Sequence, residues 1–232
     1  MNVNLTNENV IENIAILKLP SKGYRELLGK NIPYRIVKRT ADVTLSAIAM
    51  VLLLPILAII AIAIKLDSKG PVFFKHTRIG KDGKIIKIYK FRSMVDNAED
   101  LIKKFTPEQM KEYKENYKLT DDPRITKVGK ILRKTSLDEL PQLINIFKGD
   151  LSIIGPRPVV ADELKKYGPN IDKFLSVTPG LTGFWAANGR SCTTYEQRMQ
   201  MELFYVDNLS FKMDAKVFFK TIESVVSGRG AV

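Results

Sequence analysis

The stretch VTLSAIAMVLLLPILAIIAIAI, Val43 to Ile64, runs for 22 residues without a charge. At about 1.5 Å of rise per residue it is long enough to cross the hydrocarbon core of a bilayer, and too long for an ordinary buried helix of a soluble domain. Pro55 stands at its middle, where a proline removes a backbone hydrogen bond and costs about 3 kcal/mol in a straight helix. Basic residues flank both ends, Lys38 and Arg39 before it and Lys65, Lys69 and Lys75 after it. The positive-inside rule therefore gives a single span no preferred orientation. Two structures satisfy the pattern: a kinked transmembrane helix, or a helix broken at Pro55 that enters and leaves through one leaflet.

Around that stretch the composition is that of a folded domain. The 232 residues are 45% hydrophobic and 27% charged, which suits one domain with a real core and an appendage. A formal net charge of +12 calls for an anionic partner: nucleic acid, an anionic membrane surface or a phosphorylated small molecule. One cysteine, Cys192, and one histidine, His76, exclude a disulfide framework and a Cys/His zinc site. The chemistry must run on carboxylates and cations.

Before the apolar run, residues 1 to about 18 lack the features of a signal peptide. Lys18 to Arg39 is a basic arm punctuated by Pro20, Gly23, Gly29 and Pro33, which predicts turns or short helices on a surface. After it, Lys65 to Arg92 carries nine Lys/Arg and two Asp. Gly80-Lys81-Asp82-Gly83 separates two strand-like pieces there, so a basic β-hairpin is expected, touching lipid headgroups or lining a phosphate site. Helical spacing follows over Val95 to Tyr117 in two pieces, the second capped by Thr106 with Pro107 in its first position. Another helix is expected to turn Ile125, Val128, Ile131 and Leu132 inward, with Lys127, Lys130, Arg133 and Lys134 as its charges. Ser152-Ile153-Ile154 reads as a short buried strand, and Thr194 to Asn208 and Phe211 to Val226 as two amphipathic helices. The fold class is α/β, mostly α with a small β-hairpin or sheet.

Two local features carry candidate chemistry. In Lys134-Thr135-Ser136-Leu137-Asp138-Glu139-Leu140-Pro141-Gln142-Leu143, adjacent carboxylates follow a basic helix, and Pro141 is tolerated only in a first helical turn. One helix is expected to end near Thr135 and a second to start near Asp138, with Asp138 as N-cap and Glu139 in the first turn; a capping box from Ser136 to Glu139 is the rival arrangement. In Gly155-Pro156-Arg157-Pro158, Pro156 and Pro158 lock the backbone around Arg157, whose guanidinium is either a held phosphate fork or the exposed side chain of a rigid turn. Thr178-Pro179-Gly180-Leu181-Thr182-Gly183-Phe184-Trp185 is expected as another rigid turn, leading through Asn188-Gly189 to Arg190.

The ordered set of basic flank, broken apolar segment, Lys90-Phe91-Arg92-Ser93-Met94, Arg133 to Gln142, Lys148-Gly149-Asp150, Gly155 to Pro158, Pro179 to Gly183 and Asn188-Gly189-Arg190 closely resembles the bacterial sugar transferases, the monotopic polyprenyl-phosphate phosphoglycosyl transferases. The resemblance covers about Tyr34 to the C-terminus. It implies transfer of a phosphosugar from a UDP-sugar to undecaprenyl phosphate with release of UMP and a requirement for Mg²⁺. It also implies that Asp138 is the nucleophile of a covalent phosphosugar intermediate, that Glu139, with Asp138, binds the metal or positions the reacting groups, and that Arg133, Arg157 and Arg190 bind phosphate or nucleotide. Ala186 and Ala187 stand where many members have Gln followed by a small or branched residue, and Leu209 where Trp is frequent.

With that reaction the membrane alternatives can be weighed. A spanning helix would carry Lys38 and Arg39 to the far side. A break at Pro55 leaves two pieces of about 15 Å, each too short to cross about 30 Å of hydrocarbon. The expectation is a monotopic protein of the bacterial cytoplasmic membrane: an arm over 1–34, a re-entrant helix hairpin over 35–66, and a catalytic domain over 67–232 on the cytoplasmic face, against anionic headgroups. Nucleic acid is not expected as a partner, and homo-oligomerisation stays open. The contrasting reading is a non-catalytic basic module that binds the membrane or scaffolds other enzymes, which leaves Asp138 and Glu139 without a role.

Overall fold

The computed structural model describes residues 32–116, 119, 121–189 and 193–226; most of the expected arm, and Arg190, lie outside them. Among the described residues the protein is mostly helical, with two two-stranded sheets. It divides into two compact units. One holds the described residues up to Met50 with His76–Ile88 and Gln142 onward, and the other Val51–Lys75 with Tyr89–Pro141.

The first helix, α1 (Ile32–Asp67), is longer than the apolar run. Pro33 suits its first turn, where a missing N–H has no partner to lose. The helix takes in Tyr34 to Arg39, the end of the basic run, together with the expected 35–66 segment, and its first turns have polar anchors. It is also continuous through Pro55, so the expected separation into two helices is absent and the proline is accommodated within one element. By length and composition α1 is the only helix among the described residues suited to crossing a membrane. Leu45, Ile48, Val51, Leu52, Leu54, Ile56, Ile59 and Ile62 are all exposed.

In the first unit the N-terminal half of α1 is held by polar contacts. Tyr34 Oη and Lys38 Nζ donate to Asp214 Oδ2 at 2.8 and 2.6 Å, and Tyr205 Oη donates to Asp214 Oδ1 at 2.6 Å. Asp42 accepts from Ile153 N at 2.9 Å. Arg39 donates to the carbonyls of Ile146 and Phe147, at the C-terminal end of the helix Gln142–Lys148, where carbonyls lack helical partners and a cation is favoured.

The second unit is built on the C-terminal half of α1. The expected hairpin is present as β1 (Phe73–Ile79) and β2 (Ile85–Phe91), joined by a 3-10 turn over Lys81–Gly83; its outer ends belong to this unit and its turn to the other. α2 (Ala98–Ile102) and α3 (Pro107–Asn116) follow, and Thr106 and Gln109 form the reciprocal cap at the restart. α4 (Lys127–Thr135) is capped by Thr126. Ile60, Ile64, Phe91 and Leu132 form the core here, with Val128, Leu137 and Leu140 against it. Ile131 is exposed, contrary to expectation: Leu132 and Val128 already fill the inward face, four residues apart on one side of the helix. Gly129 lets α4 close on the chain after β2, since a Cβ there would collide with the Ser93 carbonyl.

From Gln142 the chain returns to the first unit as α5 (Gln142–Lys148), which ends at Gly149, and β3 (Ser152–Ile154). Short helices α6 (Ala161–Lys165) and α7 (Ile171–Leu175) then lead to β4 (Gly180–Thr182) and α8 (Phe184–Asn188). The expected rigid turn thus contains a strand, parallel to β3 and pairing Ser152 with Gly180 and Ile154 with Thr182. α9 (Tyr195–Asp207) and α10 (Phe211–Val226) are the two expected tail helices, Thr194 capping the first. Ala187 and Leu209, two departures from the family pattern, pack around Ile154, Tyr205 and Val217.

Candidate active site

Asp138 and Glu139 are not at the start of a long helix. α4 ends at Thr135, Ser136 takes a left-handed conformation (φ 57°), and Leu137–Glu139 form a 3-10 turn with Ser136 at its N-cap. Ser136 makes no side-chain cap, so neither the Asp138 cap nor the Ser136 to Glu139 box forms. The physical reason lies in Pro141, which precedes α5 rather than entering it; the two carboxylates occupy the short link between two helices.

Tertiary contacts define their surroundings in the second unit. Lys90 Nζ, from β2, pairs with Glu139 Oε1 at 2.7 Å, and Arg133 Nε donates to Ser93 Oγ at 2.9 Å. Burial pushes the Asp138 carboxyl above its ordinary range; the Lys90 charge pulls it down, Glu139 pushes it up and Arg133 pulls it down. Desolvation outweighs the two cations, and a carboxyl perturbed in this way is a functional-site candidate. Sequence reading missed Lys90 as a site residue, although Lys90-Phe91-Arg92 was among the motifs. Arg92 of that motif is structural: its guanidinium donates to the carbonyls of Lys69 and Ser68 beyond the end of α1.

For Mg²⁺ the donor set decides the fit. Among the described residues no three His, Cys, Asp or Glu gather, so no all-protein cage is present. Mg²⁺ commonly takes one or two carboxylates together with substrate phosphates and water, and the adjacent Asp138 and Glu139 suit that mode.

Pro156, Arg157 and Pro158 lie in the first unit, in a loop locked by backbone packing. Gly180 N donates to Pro156 O and Gly155 N to Thr182 O, both at 2.8 Å, and a Cβ on Gly155 would lie 2.5 Å from the Thr178 carbonyl oxygen. The two proline-glycine segments therefore brace each other. Arg157 is exposed, with Cζ 5.9 Å from the Trp185 ring centre, and its backbone N donates to Glu202 Oε1 at 3.1 Å. Glu202 is buried, which pushes its carboxyl up to about 7 against the opposing effects of that N–H and of Arg198 and Arg157. Arg198 stacks on Trp185 at 4.7 Å and on Tyr195 at 5.2 Å. Arg78, from β1, lies within the field of Arg157 and Arg198; burial and those two charges lower its pKa to about 10 against the pull of Glu163. From the sequence Arg78, like His76, reads as a surface or structural residue, and Arg198 is not singled out, since its neighbours in the chain carry no motif.

The family described as bacterial sugar transferase matches residues 33–228. Exopolysaccharide production protein ExoY of Sinorhizobium fredii is 42% identical over 199 residues, covering 84% of this chain and 88% of that protein. Undecaprenyl-phosphate galactose phosphotransferase of Salmonella typhimurium is 40% identical over 200 residues, 85% of this chain and 42% of the relative. UDP-galactose-lipid carrier transferase of Erwinia amylovora is 41% identical over 200 residues, with the same coverages of 85% and 42%. The chain thus spans less than half the length of the last two.

Proposed function

Because the chain belongs to the bacterial sugar transferase family, we propose that it transfers a phosphosugar from a UDP-sugar to undecaprenyl phosphate and releases UMP, an early membrane step in assembly of an exopolysaccharide, capsule or glycoconjugate. The observation that carries the reading is the Asp138-Glu139 pair in its 3-10 turn, with Lys90 on Glu139 and Arg133 nearby. An Asp138 oxygen attacks the sugar-bearing phosphorus, the anhydride bond to the nucleotide breaks, and UMP leaves with the electron pair. A phosphate oxygen of the carrier then attacks the same phosphorus, and the Asp138 carboxylate is regenerated. Attack by an anion on a diphosphate meets like-charge repulsion, so the cations beside Asp138 must offset it. Asp138 and Glu139 would hold Mg²⁺, which when bound neutralises diphosphate oxygens. Lys90 keeps Glu139 in place and favours the ionised form of Asp138 that attacks. Arg157 and Arg190 contribute to phosphate or nucleotide binding.

The same reading includes a re-entrant membrane segment on the cytoplasmic side of the bacterial cytoplasmic membrane. Two observations support it. The N-terminal half of α1 is anchored through Tyr34, Lys38, Arg39 and Asp42 to α10, α5 and β3, and its C-terminal half packs with Phe91 and Leu132, where Asp67 accepts from Val128 N. On this reading no further crossing follows Asp67, where the sequence has no second apolar run of spanning length. Entry and exit through one leaflet then require α1 to bend, and Pro55 is where a helix bends most readily. In a Cys192→Ser background, Arg35→Cys should stay unreactive toward an impermeant thiol reagent added outside intact spheroplasts; modification there would mean that α1 crosses the membrane.

The reaction is tested with donor alone. Wild-type protein incubated with a UDP-sugar should release UMP and carry a phosphosugar adduct on Asp138 by mass spectrometry, and a panel of UDP-sugars identifies the sugar. If no adduct forms and UMP appears only with carrier present, the covalent mechanism is wrong. If no UDP-sugar yields UMP, the non-catalytic membrane module replaces it.

A further inference from the structure

Among the described residues three arginines are almost fully buried, Arg92, Arg124 and Arg198, and their hydrogen bonding differs: Arg92 donates both Nη groups to backbone carbonyls and leaves only Nε without a partner. Arg124 turns the edge formed by its Nε and Nη2 toward Asp122 and donates both, at 2.8 and 2.6 Å. Arg198 is 8% exposed, and the same edge, Nε and Nη2, has no partner among the described residues. Its Nη1 meets Glu163 Oε1 at 3.5 Å, the long limit of a hydrogen bond. A buried guanidinium with its best fork unmade is costly unless something else fills it.

The surroundings say what that something is. Arg157 and Arg198 share the Trp185 ring at 5.9 and 4.7 Å, and the ring is oriented by a bond from its Nε1 to Thr193 Oγ1 at 2.7 Å. Arg78 feels both charges. It reaches them because β1 ends against the proline loop: Ile79 N donates to Val159 O at 2.9 Å, in an antiparallel bridge two residues after Arg157. Three guanidiniums face two carboxylates, Glu163 and Glu202; burial pushes the Glu202 carboxyl up to about 7, and its Oε2 is likewise without a hydrogen-bond partner among the described residues. An aromatic face softens repulsion between like charges, but it does not satisfy N–H donors.

We infer that Arg78, Arg157 and Arg198 form one anion site, in which Arg198 offers Nε and Nη2 as a fork to two oxygens of a phosphoryl group. Planar forks match phosphate geometry in a way that a lysine cannot. The site extends the phosphate role of Arg157 to two residues that no sequence motif marks, and it rests on the phosphoryl-transfer reading for its choice of anion. Two sources share that chemistry: the diphosphate of the nucleotide donor, and the phosphate of the lipid carrier.

Equilibrium titration of detergent-solubilised protein with UDP, which cannot react, tests the donor source, and the KM for undecaprenyl phosphate in nanodiscs tests the carrier. Arg198→Lys keeps the charge and loses the fork, so the affinity for the true ligand should fall roughly tenfold to hundredfold. Arg78→Gln should lower the same affinity by a smaller factor, and it carries the test if Arg198→Lys melts below the wild type. Weaker UDP binding with an unchanged carrier KM assigns the site to the donor, and the reverse assigns it to the carrier. Should both constants stay at wild-type values in both variants, the inference is overturned and Arg198 merely balances Glu163 and Glu202. Adduct formation on Asp138 in the wild type separates this outcome from failure of the transferase reading, because it reports the reaction without reference to Arg198.

Discussion

The carboxylate turn and the arginine cluster are charged sites built in opposite ways. Arg133, Asp138 and Glu139 come from one short stretch, joined by Lys90 from the hairpin, and their charges largely answer each other: Lys90 pairs with Glu139, and Arg133 and Lys90 both act on Asp138. Arg78, Arg157 and Arg198 come from a strand, a loop and a helix far apart in sequence, and they hold an excess of positive charge with buried N–H groups unmet. The first is near-neutral and half-exposed; the second gathers positive charge around one buried guanidinium, that of Arg198.

The strongest way to break that contrast is at Asp138. Asp138→Asn should lower turnover by at least about 10³-fold, as removal of a covalent nucleophile does, and abolish labelling by donor. Burial raises the folded pKa of Asp138, so the group contributes stability in its protonated form at low pH and loses it as pH rises through that raised value. At neutral pH the carboxylate is therefore a net cost, and Asp138→Asn should melt no lower than the wild type. A melting point well below it would mean that Asp138 is structural.

A smaller effect sharpens the role of Lys90. Its charge favours ionised Asp138, so Lys90→Gln should push the carboxyl further up and move the acid limb of the labelling rate to higher pH. The loss should be larger on the acid side of the profile than on its alkaline side. An acid limb identical to that of the wild type would reduce Lys90 to a partner of Glu139 alone.

On the arginine side Glu202 gives the next contrast. Its carboxyl, ordinarily 4.5, is raised to about 7, so its contribution to stability is complete below the ordinary value and is lost as pH climbs through about 7. Glu202→Gln keeps an oxygen for the Arg157 N–H and removes the titration. Its urea midpoint should change less than that of the wild type between about pH 4.5 and about pH 8; equal slopes would place the titration elsewhere.

The smallest expected effect lies at Ser136. A non-glycine residue at φ 57° carries a steric cost that glycine avoids, offset in part by the larger entropy of glycine in the unfolded chain. Ser136→Gly should stabilise by about 0.5–1 kcal/mol in chemical denaturation, whereas destabilisation would show that the Ser136 side chain itself holds the turn.

Legibility followed locality. The hairpin, the Thr106 and Thr194 caps, β3, and the two tail helices depend on turn residues, capping side chains and periodicities within a few positions, and all stand in the structure. Asp138 and Glu139 were visible as adjacent carboxylates, but their 3-10 geometry was not, because Pro141 permits either a first helical turn or the residue before one. Ile131 fits an inward stripe by spacing and is nonetheless exposed, since the core around Leu132 is filled from α1 and β2.

By itself the sequence determined an uncharged 22-residue run with a central proline, a strongly basic chain without disulfide or zinc chemistry, and the ordered motifs of a sugar transferase; these are properties of residues near one another along the chain. Only the tertiary structure decided that α1 begins at Ile32 and is anchored through Asp214, Ile153 and the end of α5. It alone decided that Lys90 meets Glu139 across 49 positions, and that Arg78, Arg157 and Arg198 face one another. Those pairings depend on how β1, β2, the proline loop and α9 pack, and packing of distant segments leaves no periodicity or spacing in a single sequence.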